Sequence, residues 1–180
     1  MKKYIFFLLI FITLTALQCK KTTPEDQLPP ITTTGANTFG CLINGNIWLP
    51  HTNTHDIPAL WVQGPETNTY KKNASVSISA ANTTQGDNSR LYITLNNLTD
   101  TGTYIIYNYL NEGLVYLDNN NYTYEPFDTF GIVKVIHLDT TQQIVSGTFS
   151  FVGYTNPNHS IAKTVTISSG RFDVQWPYKQ

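Results

Sequence analysis

The sequence predicts an all-β fold, a single antiparallel β-sandwich, with an open β-barrel as the alternative. Three observations lead to this prediction. After residue 38, apolar side chains recur at every second position, which is the period of a half-buried strand. Turn-forming sequences separate these runs at the short intervals typical of sandwiches and barrels. No segment of the predicted domain has the 3.6-residue period of an amphipathic helix.

Residues 1–18 are typical of an export signal. Lys2 and Lys3 precede an apolar run at residues 5–17, which is shorter than the roughly 20 residues of a membrane-spanning helix. The run leads to Cys19 and resembles the lipobox of bacterial lipoproteins, in which cleavage precedes a cysteine that is then acylated. Gln18 departs from the small residue usual there, and cleavage after Ala16 is the alternative. We therefore expect an outer membrane lipoprotein, on the cell surface or the periplasmic face, whose membrane partner is reached through acylated Cys19.

Residues 19–37 are expected to form a disordered tether after the lipidated cysteine. The segment contains three prolines and a run of threonines and has no apolar periodicity. Such a composition does not provide enough apolar surface to offset the entropy of ordering. The β-sandwich domain is then expected to occupy residues 38–180, with one core that is sufficient without a metal or a disulfide. No cofactor is expected.

The first element of the predicted domain is a hairpin. Two apolar runs flank Asn44-Gly45, the strongest short-range signal for a type I′ turn. A two-residue loop there pairs Cys41 with Trp48 and places Cys41 in the core as a small apolar residue. A Cys19–Cys41 disulfide, which an exported compartment permits, is the alternative.

Two further elements complete the predicted sandwich. Residues 131–138 are apolar on both sides and indicate a central strand covered on both faces. The C-terminal run around Ser169-Gly170 predicts a second two-residue hairpin. That hairpin would pair Ile167 with Phe172 and Val165 with Val174, and all four side chains would face the core.

The segments that begin and end the domain resemble an uncharacterised lipoprotein family of Bacteroidota. The resemblance rests on the Pro/Thr-rich tether, on Phe39-Gly40-Cys41 with Asn44-Gly45 and Trp48, on residues 146–151 (SGTFSF), and on Gly170-Arg171-Phe172-Asp173. It implies a cell-envelope address and an all-β domain of unknown function. It implies no catalytic residues.

Composition and charge narrow the function classes. Charged residues make up only 13% of the chain, and the net charge is −1. A nucleic-acid-binding surface needs basic residues to neutralise phosphates, so nucleic acid is not an expected partner. We therefore interpret the protein as a non-catalytic cell-envelope lipoprotein whose specific role the sequence does not define.

The first alternative function is glycan binding by the Tyr/Asn-rich segment 104–130. Aromatic rings can stack on sugar CH groups while amides and carboxylates bind the hydroxyls. In the competing interpretation, the rings line the edge of the core and the asparagines form a loop. The candidate ligand-binding residues are Tyr107, Tyr109, Tyr116, Tyr122, Tyr124, Asn119, Asn121 and Asp128.

The second alternative function is a hydrolase with an unrecognised carboxylate pair. Glu112, Glu125 and Asp128 are available, but nothing in the sequence sets two of them at a fixed separation. No nucleophile elbow G-x-S-x-G is present. His51 and His55 are spaced as on a metal-binding helix, yet prolines bound their segment and predict a loop. We therefore predict neither a catalytic residue nor a metal site.

Overall fold

Two six-stranded antiparallel sheets form the structure. The computed structural model describes residues 22–52, 60–64, 75–84, 86–107, 113–126, 131–155, 163–176 and 178–179. Sheet A contains, in spatial order, β2 (Asn46–Trp48), β1 (Thr38–Ile43), β11 (Thr164–Gln175), β10 (Ile144–Tyr154), β9 (Gly131–Asp139) and β6 (Gly102–Ile106). Sheet B contains β12 (Tyr178–Lys179), β3 (Leu60–Gln63), β4 (Val76–Asn82), β5 (Ser89–Leu95), β7 (Gly113–Leu117) and β8 (Thr123–Tyr124). Within these ranges the only helical element is a 3₁₀ turn, Pro24–Gln27.

The core lies between the inner faces of the two sheets, because alternate side chains of the long strands point to the same side. Ile78 of β4 and Ile93 of β5 are fully buried in the same hydrophobic cluster as Val133 and Val145 of sheet A. Over the described residues, the two sheets share no strand and do not close into a barrel. The predicted β-sandwich is therefore confirmed, and the barrel alternative is wrong.

The predicted N-terminal hairpin is confirmed in register and turn. Cys41 pairs with Trp48, and Asn44 and Gly45 have the positive φ angles of 50° and 80° that a type I′ turn requires. The hairpin also links the two sheets, because the Trp48 indole N–H donates a 2.8 Å hydrogen bond to the hydroxyl of Ser89 on β5. A buried indole needs such a partner.

The predicted C-terminal hairpin is wrong, because residues 164–175 form one continuous strand. Phe149 of β10 pairs with Gly170, whereas Phe151 pairs with Ile167, so β11 carries one extra residue. Ser169 has a φ of 51° at this point, which identifies a β-bulge. Gly170 is required beside it, since a Cβ there would lie 2.6 Å from the carbonyl oxygen of Phe149.

The bulge explains why the predicted facing of this segment is nevertheless correct. A single extra residue exchanges the two sides of a strand. Val165 and Ile167 before the bulge, and Phe172 and Val174 after it, are therefore all buried in the core. Ser-Gly supports a left-handed backbone in a turn and in a bulge alike, so the dipeptide could not distinguish them.

Strand β9 was predicted to be a central strand covered on both faces, and only its outer face differs from that prediction. It lies inside sheet A between β10 and β6, as a central strand should. Val133 and Val135 are buried in the core, but Ile132 and Lys134 are exposed on the outer face. The strand is therefore covered on one face, and its apolar outward residue remains at the surface.

Candidate functional site

The outer face of sheet A is the candidate site, because the N-terminal segment lies across part of it. Residues 22–37, here called the strap, differ from the disordered tether that composition predicts. Leu28 of the strap is only 6% exposed. A Cβ on Gly40 of β1 would lie 3.0 Å from Cδ of Pro29. The strap therefore packs directly on the backbone of the sheet.

The carboxylate of Asp173 on β11 holds the strap. Its Oδ2 accepts hydrogen bonds from the Thr32 hydroxyl at 2.6 Å and from the backbone N–H of Thr34 at 3.0 Å. Its Oδ1 accepts from the backbone N–H of Gly35 at 2.9 Å and from the buried Ser146 hydroxyl at 2.6 Å. One side chain thus joins the strap to two strands of sheet A.

These hydrogen bonds control the protonation state of Asp173. Burial raises its pKa, but the bonds donated by Ser146, Thr32, Thr34 and Gly35 outweigh burial and lower the pKa to about 2. The carboxylate is therefore ionised at any physiological pH, and we call this set of contacts the Asp173 latch.

A second contact lies at the beginning of the strap. The Arg171 guanidinium donates from Nη1 to the Pro29 carbonyl and from Nη2 to the Glu25 carboxylate, both at 3.2 Å. Arg171 and Asp173 both point outward from β11, because residues two apart share a face. One outward row of β11 therefore binds both halves of the strap.

The strap leaves the other half of the same face bare. A groove of about 230 Å³ lies at the edge of the strap. Its lining includes Glu25 and Ile31 of the strap and Ile132 of β9. Ile132 pairs with Ile105 of β6. Ile31, Ile105 and Ile132 are 55%, 48% and 37% exposed, and together they form what we call the isoleucine patch.

The described part of the Tyr/Asn-rich segment does not form the exposed row of rings that a glycan-binding surface would need. Tyr116 and Tyr124 are buried in the core with ring centroids 5.8 Å apart. Tyr107 and Tyr122 are half-buried. Lys163 Nζ lies 3.6 Å from the centroid of the Tyr122 ring and occupies one of its faces. Two of the predicted stacking rings therefore contribute to the core instead.

Three asparagines of this segment, Asn119, Asn120 and Asn121, lie in the loop between β7 and β8. Asp118 organises the loop, since its Oδ1 accepts from the backbone N–H groups of Asn120 and Tyr122, both at 2.9 Å. Asn119 and Asn121 are exposed, and Asn121 has a φ of 60°. The run of short polar residues therefore serves the turn.

The carboxylate of Asp118 also reaches the core edge. Its Oδ2 accepts a 3.1 Å hydrogen bond from the Tyr124 hydroxyl. Burial raises the pKa of Tyr124 to about 12, and the negative charge of Asp118 adds to the effect. Tyr124 is therefore a neutral donor that ties the loop to the core.

Several predicted residues lie outside the described ranges. These are the lipidation candidate Cys19, the ligand-binding candidates Tyr109 and Asp128, and the second histidine of the His51 pair, His55. His51 itself forms an isolated bridge to Asn82. Among the residues that the structure describes, no three His, Cys, Asp or Glu side chains cluster as a metal site would require, and no helix is long and apolar enough to cross a membrane.

Cys41 is buried as the hairpin prediction expects. It is fully enclosed in the core beneath Trp48, and burial raises the pKa of its thiol to about 12. A neutral, inaccessible thiol is a poor nucleophile. Cys41 therefore contributes packing to the core.

Sequence reasoning missed the Asp173 latch, although Asp173 lies between Phe172 and Val174, which the alternation pattern directs to the core. The available signal was a carboxylate inside a strand, following a chain segment rich in short hydroxyl residues and glycine. The carboxylate needs donors, and Thr32, Thr34 and Gly35 supply them from 138 or more positions away. Spacing along the chain does not reveal such a distant pairing.

Comparisons with known proteins found no match. No protein-family model matches the chain, and neither the curated proteins nor the solved structures contain a match.

Proposed function

We propose that this protein is a lipid-anchored, non-catalytic module of the cell envelope, held at the outer membrane by acylated Cys19. The observation that carries the proposal is the apolar run at residues 5–17 leading to Cys19 behind a basic start. The resemblance to lipoproteins at both ends of the domain supports the same address. The envelope function itself would then depend on what the displayed sandwich contacts.

Lipid chemistry makes such an anchor stable. Each buried CH₂ group contributes about 0.8 kcal/mol, and a single acyl chain gives only marginal binding. A lipoprotein cysteine normally carries two or three chains, which is sufficient for stable anchoring. Thr22, the first described residue of the strap, is three residues after Cys19, and the Asp173 latch holds this anchored segment against the sandwich.

The proposal is tested by metabolic labelling of the full chain with an alkyne analogue of palmitate in a Gram-negative host. We expect the wild-type protein to incorporate the label and to fractionate with membranes. Cys19→Ser should abolish both. Cys41→Ala is the matched control, because it removes the other cysteine of the chain and should leave labelling and fractionation unchanged.

Two outcomes would overturn the lipid anchor. The first is Cys19→Ser protein that still carries the label. The second is unlabelled Cys19→Ser protein that remains entirely in the membrane fraction, which would mean that another part of the chain holds it there.

Glycan binding gains no support from the described part of segment 104–130. Two of its rings, Tyr116 and Tyr124, are buried, and Lys163 covers a face of Tyr122. A hydrolase likewise gains none, since Glu125 is the one candidate carboxylate of its three that lies in the described ranges, and Glu112 and Asp128 lie outside them. The lipid-anchored module is therefore the function we carry forward.

A further inference from the structure

The two sides of the sandwich differ in the apolar residues that they expose. Five large apolar side chains are exposed among the described residues, and all belong to the strap, to sheet A or to the residue that follows β2: Ile31, Ile47, Leu49, Ile105 and Ile132. In sheet B, strands β3, β4, β5, β7 and β8 expose none. Exposed apolar patches of this kind mark surfaces that contact a partner or a membrane.

The isoleucine patch is continuous across three chain segments. Ile105 and Ile132 are directly opposite each other on β6 and β9, and Ile132 and Ile31 line the same groove. Lys134 lies two residues after Ile132 on the same side of β9 and is exposed. An apolar surface with an adjacent cation suits the headgroup region of a membrane, where lysine contacts phosphate.

The chain length before the strap limits how far this patch can lie from the anchor. Cys19 is three residues before Thr22 and six before Glu25, which lines the groove. Six residues span at most about 20 Å even when fully extended. Sheet B lies about 10 Å behind sheet A, so its outer face is the side of the domain farthest from the strap.

We infer that the isoleucine patch on the outer face of sheet A rests on the membrane surface to which Cys19 is anchored. This inference depends on the proposed lipid anchor and adds an orientation to it. The strap delivers the acyl chains beside the patch, and the Asp173 latch fixes the strap to the same face. Sheet B is then directed away from the bilayer.

Fluorescence quenching tests this orientation on the full, acylated chain. A nitrobenzoxadiazole maleimide is attached to Ile132→Cys, and the protein is incorporated into preformed vesicles of equimolar phosphatidylcholine and phosphatidylglycerol that contain nitroxide-labelled lipid. Cys41 does not compete for the label, because it is fully buried. Gln63→Cys is the matched control, since Gln63 is exposed on the outer face of sheet B.

We expect a label at position 132 to be blue-shifted and quenched several-fold more than a label at position 63. Ile105→Cys, on the neighbouring strand, should behave like Ile132→Cys and guards against a folding defect in either variant. Equal quenching at positions 132 and 63 would overturn the orientation. So would an apolar environment at position 132 without lipid quenching, which would indicate a second copy of the chain on the patch.

The same experiment separates the two proposals. Protein that does not float with the vesicles would refute the lipid anchor, and the orientation with it. Protein that floats but shows no excess quenching at positions 132 and 105 would refute the orientation alone.

Discussion

The outer face of sheet A has two halves that share one alternation pattern and differ in what covers them. Over β1 and β11 the strap buries Leu28 and surrounds the Asp173 carboxylate with donors. Over β9 and β6 the outward isoleucines remain exposed. The strand pattern defines which residues point outward. Whether those residues are shielded from water depends on the strap, which is distant from them in the sequence.

Among the variants considered, Asp173→Ala should lower the free energy of unfolding most, because it removes the acceptor that holds the strap. The substitution leaves the Ser146 hydroxyl and the N–H groups of Thr34 and Gly35 without their acceptor. We expect the free energy of unfolding to fall by about 3 kcal/mol, the range for a broken buried network. Urea denaturation followed by tryptophan fluorescence measures the loss.

The control for this variant is Asp139→Ala. Asp139 also accepts two backbone N–H bonds, from Thr141 and Gln142, but in a turn at the surface. Its loss should destabilise the protein much less than Asp173→Ala does, because solvent can replace the acceptor. Similar small losses at both positions would contradict the latch.

A pair of truncations compares the covered and bare halves directly. Leu28→Ala removes a buried side chain under the strap and should cost about 2–3 kcal/mol. Ile132→Ala removes a side chain that is already partly solvated, and it should cost less than about 1 kcal/mol. Chemical denaturation of both variants measures the difference. Equal costs would show that the strap does not exclude water from its half.

Low pH should reduce the stability that the Asp173 latch contributes to the covered half of sheet A. The pKa of Asp173 is about 2 in the folded state, below its ordinary value of 3.8, so the unfolded chain binds the proton more tightly. The stabilisation is therefore complete above about pH 4 and is lost as the pH falls toward 2, by about 2 kcal/mol.

Urea titrations of the wild type and of Asp173→Asn across this pH range test the assignment. The variant should lack this component of the acid loss. If both proteins lose stability in parallel between about pH 4 and 2, another group accounts for the acid sensitivity.

The smallest expected effect is at the beginning of the strap. Glu25 is 58% exposed in its ion pair with Arg171, so Glu25→Gln should cost about 0.5 kcal/mol or less and the loss should shrink in high salt. Arg171→Ala should cost more, because Arg171 also donates to the carbonyls of Pro29 and Ser169. A loss at Glu25 as large as that of Leu28→Ala would contradict this ranking.

The sequence predicted the sandwich well because its signals are local. Alternation defines the buried face of each strand, and Asn44-Gly45 requires a backbone that few other dipeptides adopt. The facing of Val165 and Val174 was correct although the predicted turn between them was wrong. A bulge and a two-residue hairpin both restored the same alternation, so the pattern could not separate them.

The strap and the patch could not be predicted in the same way, because both depend on distant contacts. A Pro/Thr-rich composition indicates disorder when the segment is considered alone. The Asp173 carboxylate and the buried site of Leu28 supply the compensating interactions, and both lie on the domain rather than in the segment. Ile132 is likewise exposed because the strap does not cover its strand, and the sequence pattern around Ile132 cannot predict this.

Amide hydrogen exchange measures directly whether the Asp173 carboxylate holds the strap on sheet A. The N–H groups of Thr34, Gly35 and Ala36 all donate to the Asp173 carboxylate. We predict that they exchange nearly as slowly as the amides of β11, and that Asp173→Asn accelerates them without accelerating those of β5. Exchange of these three amides at the rate of an unstructured peptide in the wild-type protein would show that Asp173 does not hold the strap on the sheet.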